Sequence, residues 1–201
     1  MFEDDNLNNL TLNDDYIIGC DEVGTGTAAG PLVVCGVRAE KDWKIDGLND
    51  SKKLSEKKRN IMRSKLLDLE NKDIIFWIAE RSNERIDEIG LGAALKEAYV
   101  EVFTKLYIPK SFIVADGNLK FEKVRDCKII SMVKADTKIP SVMAASILAK
   151  TYRDEIMKNH HLSYDKYGWN TNVGYLTAEH IEAISKFGYT PLHRRSFNIK
   201  K

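Results

Sequence analysis

Two adjacent acids, Asp21 and Glu22, stand between the apolar run Tyr16-Ile17-Ile18-Gly19-Cys20 and the glycine-rich stretch Val23-Gly24-Thr25-Gly26. Tyr and Ile are strand formers. Gly19 within the run marks a place where another backbone or a ligand comes close. Carboxylates at a strand's end, followed by backbone free to bend, suit a hard cation that must also admit a bulky polar substrate. Strand alternation sends neighbouring side chains to opposite faces, so both acids serve one site only if the chain turns there. A solvated acidic pair at a strand end is the plainer alternative. The stretch Gly24-Thr25-Gly26-Thr27-Ala28-Ala29 also fits a dinucleotide fingerprint with Ala in the last place. That fingerprint requires a helix to follow, whereas Gly30-Pro31 and the β-rich run Leu32-Val33-Val34-Cys35-Gly36-Val37 follow here. The segment therefore reads as strand, wide turn, strand.

Along the rest of the chain, periodicity predicts strands near 16–21, 32–38, 74–79, 112–115 and 128–133. Ser55 is placed to cap a helix running to about Leu69, with Ile61, Met62, Leu66 and Leu69 facing inward. Asn83 is the expected cap of the next helical region, in which Ala93, Ala94, Ala98, Val102, Phe103 and Leu106 pack closely before Pro109. Pro140 suits a first helical turn, with Met143, Ala144, Ile147, Leu148 and Ile156 forming a stripe. A short helix from Thr177 to Lys186 is stopped by Gly188. Three opening strands and then alternating elements predict an α/β domain, a mixed sheet with helices on both faces.

Composition bounds the class. With 43% hydrophobic and 30% charged residues, the 201-residue chain is an ordinary globular sequence. No apolar stretch approaches a membrane span, and the acidic start Met1-Phe2-Glu3-Asp4-Asp5 is unlike a signal peptide. Cys20, Cys35 and Cys127 form no Cys-x-x-Cys pair, which disfavours a disulfide framework or zinc site and suits a reducing cytoplasm. The net charge of +1 is uninformative, but its distribution is not. Residues 1–22 carry only acids, whereas Lys52, Lys53, Lys57, Lys58, Arg59, Arg63 and Lys65 crowd one segment against Glu56 alone. Such segregation suits basic faces for a phosphate backbone and an acidic pocket for cations; the solvated face of a helix is the competing reading.

Further carboxylates repeat the opening grammar. Asp116 ends the apolar run Phe112-Ile113-Val114-Ala115 and precedes Gly117, while Asp136 lies in a loop before Pro140. Asp-Gly alone is more often a turn than a ligand. Asp21-Glu22-Val23-Gly24-Thr25-Gly26 with Gly30-Pro31 resembles the opening motif of the type 2 ribonucleases H, ribonucleases HII and HIII. The ordered segments Asp50-Ser51-Lys52-Lys53-Leu54-Ser55, Ala115-Asp116-Gly117, Lys134-Ala135-Asp136 and Ala144-Ala145-Ser146-Ile147-Leu148-Ala149-Lys150 with Arg153-Asp154 agree with it. So do Gly174-Tyr175-Leu176-Thr177 with His180, and His193-Arg194-Arg195-Ser196-Phe197. The resemblance runs from about Tyr16 to Phe197 and is closest to ribonuclease HII.

That resemblance implies a ribonuclease H-like mixed sheet with a C-terminal helical extension. The expected organisation is an acidic segment over 1–15, a catalytic domain over 16–160 and the extension over 161–201, contributing to substrate binding. It implies that Asp21, Glu22, Asp116 and Asp136 hold two divalent ions, Mg²⁺ or Mn²⁺, and leave 5′-phosphate and 3′-hydroxyl ends. Gly24, Thr25 and Gly26 would meet a ribose 2′-hydroxyl, and Tyr175 the neighbouring deoxyribose. Lys52, Lys53, His180, His193, Arg194 and Arg195 are the expected phosphate contacts. The substrates implied are RNA–DNA hybrids and duplex DNA with embedded ribonucleotides, cut by a monomer in the cytoplasm. One departure stands out: ribonuclease HII commonly has Arg between the motif glycines, where Thr25 stands here, as in ribonuclease HIII. The glutamate that ribonuclease HIII places four residues after its Asp116 equivalent is Lys120 here, so Asp136 fits the ribonuclease HII position. A DNA-cutting nuclease on the same fold and a non-catalytic nucleic-acid-binding module are the alternatives.

Overall fold

The computed structural model describes residues 14–49, 51–121 and 127–197. Asp50 and all but two residues of the acidic N-terminal segment lie outside them. Five strands, β1 (Tyr16–Val23), β2 (Leu32–Glu40), β3 (Ile74–Arg81), β4 (Ser111–Asp116) and β5 (Lys128–Met132), form one sheet in the order β3-β2-β1-β4-β5. β1 pairs antiparallel with β2 and parallel with β4; β2–β3 is antiparallel and β4–β5 parallel. All five strands and the mixed sheet agree with the sequence reading. Among the described residues the α-helices are α1 (Glu56–Asp68), α2 (Asn83–Ile89), α3 (Leu91–Leu106), α4 (Pro140–His161), α5 (Trp169–Asn172) and α6 (Ala178–Phe187).

The strand alternation divides the core between two faces. Ile18, Cys20, Val34 and Ile113 meet Ala98, Val102 and Phe103 of α3 on one side. Val33, Cys35 and Val37 meet Ala144, Ala145, Ile147 and Leu148 of α4, with Met62 and Leu66 of α1, on the other. Each such fully buried Ile, Leu, Val or Phe contributes ~1.5–3 kcal/mol. Gly19 serves close approach of backbone, not ligand: a Cβ there would lie 2.3 Å from the Val142 nitrogen at the start of α4. Among the described residues no helix is long and apolar enough to cross a membrane.

Helix details correct three expectations. Ser55 caps α1, its hydroxyl accepting from the Lys58 amide. Ile61, expected inward, is 51% exposed, because the buried stripe follows Met62, Leu66 and Leu69 and Ile61 lies about 100° round from it. Ser82, not Asn83, caps α2 by accepting from the Arg85 amide. The Asn83 amide instead donates to the Pro191 carbonyl at 2.8 Å, a tertiary tie invisible to local propensity. In α3, Ala93 is exposed while Ala94 and Ala98 are buried.

The C-terminal region is stitched to the turn that follows β1. The Ala28 amide donates to Gly174 O (2.9 Å), Gly30 to Leu192 O (2.9 Å), and Arg194 to Ala28 O (2.8 Å). Ala29, Met157, Tyr167, Trp169, Val173 and Ala183 form a core beneath these bonds. The turn and the tail thus hold each other in place.

Candidate active site

The parallel pairing of β1 with β4 ends at Cys20–Ala115, whereas β1 stays paired with β2 as far as Val23. Asp21, Glu22 and Asp116 follow immediately. They occupy the carboxyl ends of parallel strands, where open α/β sheets place their ligands. The chain does not turn between Asp21 and Glu22, contrary to the sequence expectation. Asp21 goes to the α4 side, hydrogen-bonded to Ser146, and Glu22 to the α3 side, where the Tyr99 hydroxyl donates to it. Both still line one pocket of about 320 Å³, because it straddles the strand end. Gly24, Thr25, Lys52, Arg59, Asp116 and Tyr175 are among the other residues of its wall.

Asp136 stands behind that wall, not in it. It is buried in the short 3-10 turn Ala135–Thr137, and its carboxylate pairs with Lys52 Nζ at 2.8 Å. Asp116 organises this turn by accepting the Ala135 amide at 2.7 Å. The four acids are therefore adjacent, three facing the pocket and the fourth tied to it through Lys52.

Their charges oppose one another. Burial, with the Glu22 and Asp116 carboxylates, pushes Asp21 up to about 7. Burial also raises Glu22, with Asp116 adding to it and Lys52 opposing. Asp116 is raised by burial and by Asp136, against the turn amides and Lys52. Hard oxygen donors crowded at the cost of mutual repulsion fit a divalent cation. Among the described residues no three groups close into a ready-made cage for one ion.

One consequence concerns stability. Because the folded value of Asp21 is raised, the protein is favoured with Asp21 protonated, and that advantage fades as pH rises from about 4 to about 7. At pH 8 in chelator, Asp21→Asn should therefore stabilise the fold by roughly 1–2 kcal/mol while losing the ion-dependent rise in Tm. Calorimetry with and without Mg²⁺ checks both; a lower Tm for the variant in chelator would contradict the repulsion.

Three expected phosphate contacts are not at the surface. His180, His193 and Arg194 are each no more than 1% exposed. Arg194 donates from Nε to Gly30 O at 3.1 Å and from Nη2 at 3.0 Å, so it holds the turn instead of a substrate. Each histidine is engaged on both ring nitrogens within the protein. Lys53 and Gly26 are exposed but do not line the pocket, and Lys52 is both exposed and in its wall. Sequence reasoning missed Tyr99, which reads as one more aromatic in the buried stripe of α3. Arg153, which the resemblance includes but to which the sequence assigned no role, is fully buried and donates to Pro31 O, Val173 O, Ala29 O and Thr27 Oγ1 at 2.8–3.0 Å. Gly24 is required by this arrangement: its φ is +92°, and a Cβ would lie 2.4 Å from Arg153 Nε.

The sheet order, the helices on both faces and the C-terminal helical region define a ribonuclease H-like fold. The chain belongs to the Ribonuclease HII family, whose profile matches residues 18–200, and is accordingly a ribonuclease H endonuclease acting on RNA–DNA hybrids. It is 41% identical over 189 residues to a ribonuclease HII of Helicobacter pylori strain G27, covering 92% of both chains. It is 44% identical over 186 residues to one of Campylobacter concisus, covering 92% of this chain and 94% of that one. Among solved structures, ribonuclease HII in the PCNA complex from Archaeoglobus fulgidus aligns with a TM-score of 0.76 at 25% identity, over 92% of this chain and 96% of that one.

Proposed function

We propose that this ribonuclease hydrolyses the RNA strand of hybrids and also cuts duplex DNA on the 5′ side of a single embedded ribonucleotide. Asp21, Glu22, Asp116 and Asp136 would hold two divalent ions, Mg²⁺ or Mn²⁺. The observation that carries this reading is that three of those acids, the Gly24–Thr25 turn and Tyr175 face one pocket. Two such ions, when bound, supply an activated water and charge stabilisation on the leaving oxygen. The products would carry 5′-phosphate and 3′-hydroxyl ends.

The chain's own residues supply the positioning. Tyr99 and Ser146 hold Glu22 and Asp21 from opposite faces of β1, so the two carboxylates are aimed before substrate arrives. Lys52 offsets the acidic charge and reaches the pocket mouth, where it can also meet phosphate. Nothing among the described residues demands glycine at position 26: it has no positive φ, and a Cβ there would meet open space. Close approach of a substrate is what would require it. A 2′-hydroxyl both donates and accepts, and exposed backbone at this turn can answer both roles. The Tyr175 ring, 41% exposed at the pocket wall, would accept the adjoining deoxyribose. Exposed Lys53, Lys57 and Lys58 at the start of α1 would meet the phosphate backbone. We expect the enzyme to act as a monomer in the cytoplasm.

Thr25 favours a second reading, a ribonuclease HIII-like hybrid nuclease without single-ribonucleotide activity, since Thr cannot reach a flanking phosphate as a cation. Cleavage of a duplex with one ribonucleotide beside a continuous hybrid separates the two. Tyr175→Ala should lower activity on the single-ribonucleotide duplex about tenfold more than on the hybrid. Equal losses would make Tyr175 structural, and wild-type protein that ignores the single ribonucleotide would establish the second reading.

A further inference from the structure

His180 and His193 are buried, face each other, and take no part in the acidic site. Their neighbours fix every proton in the pair. The Thr190 amide donates to His193 Nδ1 at 2.9 Å, so that nitrogen carries no hydrogen and the neutral ring bears its proton on Nε2. This Nε2–H faces His180 Nε2 at 3.1 Å. The same His180 nitrogen receives the Trp169 indole N–H at 3.2 Å, and indole nitrogen can only donate. His180 Nε2 is thus the acceptor of both, and the His180 proton sits on Nδ1, 2.9 Å from the carbonyl oxygen of Tyr175.

We infer that His180 and His193 are positioning residues for Tyr175. Together they form a proton-ordered imidazole pair that anchors the Tyr175 carbonyl and so sets its ring in the pocket wall. The inference rests on the reading of Tyr175 as a substrate contact. The anchored segment has little other freedom: the Tyr175 amide donates to Asn172 O, and its carbonyl also receives the Thr177 amide, both at 2.9 Å. A proton added to His193 Nδ1 would oppose the Thr190 N–H, and one added to His180 Nε2 would oppose Trp169 and His193. The proton order of the pair therefore requires both rings to be neutral: a charged His180 would keep its Nδ1–H on the Tyr175 carbonyl but lose its contacts with Trp169 and His193. Burial keeps His180 below the ordinary histidine value. It brings His193 down to about 4, with His180 and Arg195 contributing. Other described groups facing the pair are the Thr190 hydroxyl, 2.9 Å from His193 Nδ1 and free to donate to it, Glu179 beside His180 and the Tyr167 and Tyr189 rings.

Nitrogen-15 NMR of the wild-type protein tests the pair directly. The expected result is His180 protonated on Nδ1, His193 on Nε2, and neither ring charged at pH 6. Either ring titrating near the ordinary value, or His180 protonated on Nε2, overturns it. Kinetics test the link to substrate. His180→Leu removes the donor, and loss of one hydrogen bond should raise KM for the single-ribonucleotide duplex ~3–10-fold with kcat little changed. His180→Asn, whose amide can donate from the place of Nδ1, should restore KM. In a Tyr175→Ala background, His180→Leu should raise KM no further. If Tyr175→Ala alone leaves KM unchanged, the substrate reading of Tyr175 fails. If Tyr175→Ala raises KM while His180→Leu has no effect, or the two effects simply add, the positioning role fails.

Discussion

Asp116→Asn is expected to slow hydrolysis of an RNA–DNA hybrid about a thousandfold while changing hybrid affinity, measured in chelator, by no more than about twofold. The asymmetry follows from where the carboxylate sits. One Asp116 oxygen already accepts the Ala135 amide, and an Asn side-chain oxygen can keep that bond, so the turn bearing Asp136 stays formed. What is lost is the negative charge facing the pocket, and a neutral amide holds a divalent ion poorly. Losing several kcal/mol of transition-state stabilisation corresponds to about 10³ in rate, at about 1.4 kcal/mol per tenfold. Hybrid affinity is expected to draw mainly on phosphate contacts with basic side chains elsewhere. Single-turnover cleavage with a binding titration checks both halves. A variant retaining most of its rate in saturating Mg²⁺ would remove Asp116 from the ion site.

Replacement of Arg153 by Met should destabilise the protein by about 3–4 kcal/mol, lowering Tm by about 10 °C. The guanidinium satisfies three carbonyls and the Thr27 hydroxyl, drawn from the β1–β2 turn and from Val173. Met fills the volume but leaves those acceptors dry. Lys should rescue only part of the loss, because one ammonium cannot span four acceptors in a planar fork. Chemical denaturation gives the comparison; a Met variant within about 0.5 kcal/mol of wild type would mean that water or a shifted neighbour satisfies these groups.

The strands were legible in the sequence because each run is β-rich with Gly, Pro or Asp close to one or both of its ends, even in β5, where no residue is fully buried. Asp21, Glu22 and Asp116 were legible for a related reason: each ends such a run, and strand ends in one sheet become neighbours. The partners that aim them were not. Tyr99 and Ser146 lie on helices that alternation alone does not assign to a face of the sheet. Ile61 went wrong because a helical stripe predicted from composition is broad, whereas the contact with α4 is narrow. The C-terminal basic residues misled for a different reason. Arg194 and the two histidines carry polar groups that sequence reasoning assigns to solvent or phosphate, but here those groups saturate backbone carbonyls and each other. Only the long-range stitching of the tail to residues 24–31 reveals that, and no local pattern encodes it.

The strand order has a kinetic consequence. β1 occupies the centre of the sheet, yet its neighbour β4 begins 95 residues after it, and its covering helix α4 begins later still. As the chain emerges during synthesis, β1, β2 and β3 can form a meander early, while Asp21 and Glu22 remain hydrated and their repulsion is screened. The acids are brought together only when the segment through Asp136 has docked. Closing so long a loop places the electrostatically unfavourable step late in folding. Truncated chains ending before β4 would thus contain the acidic pair without the third and fourth carboxylates, and so without nuclease activity.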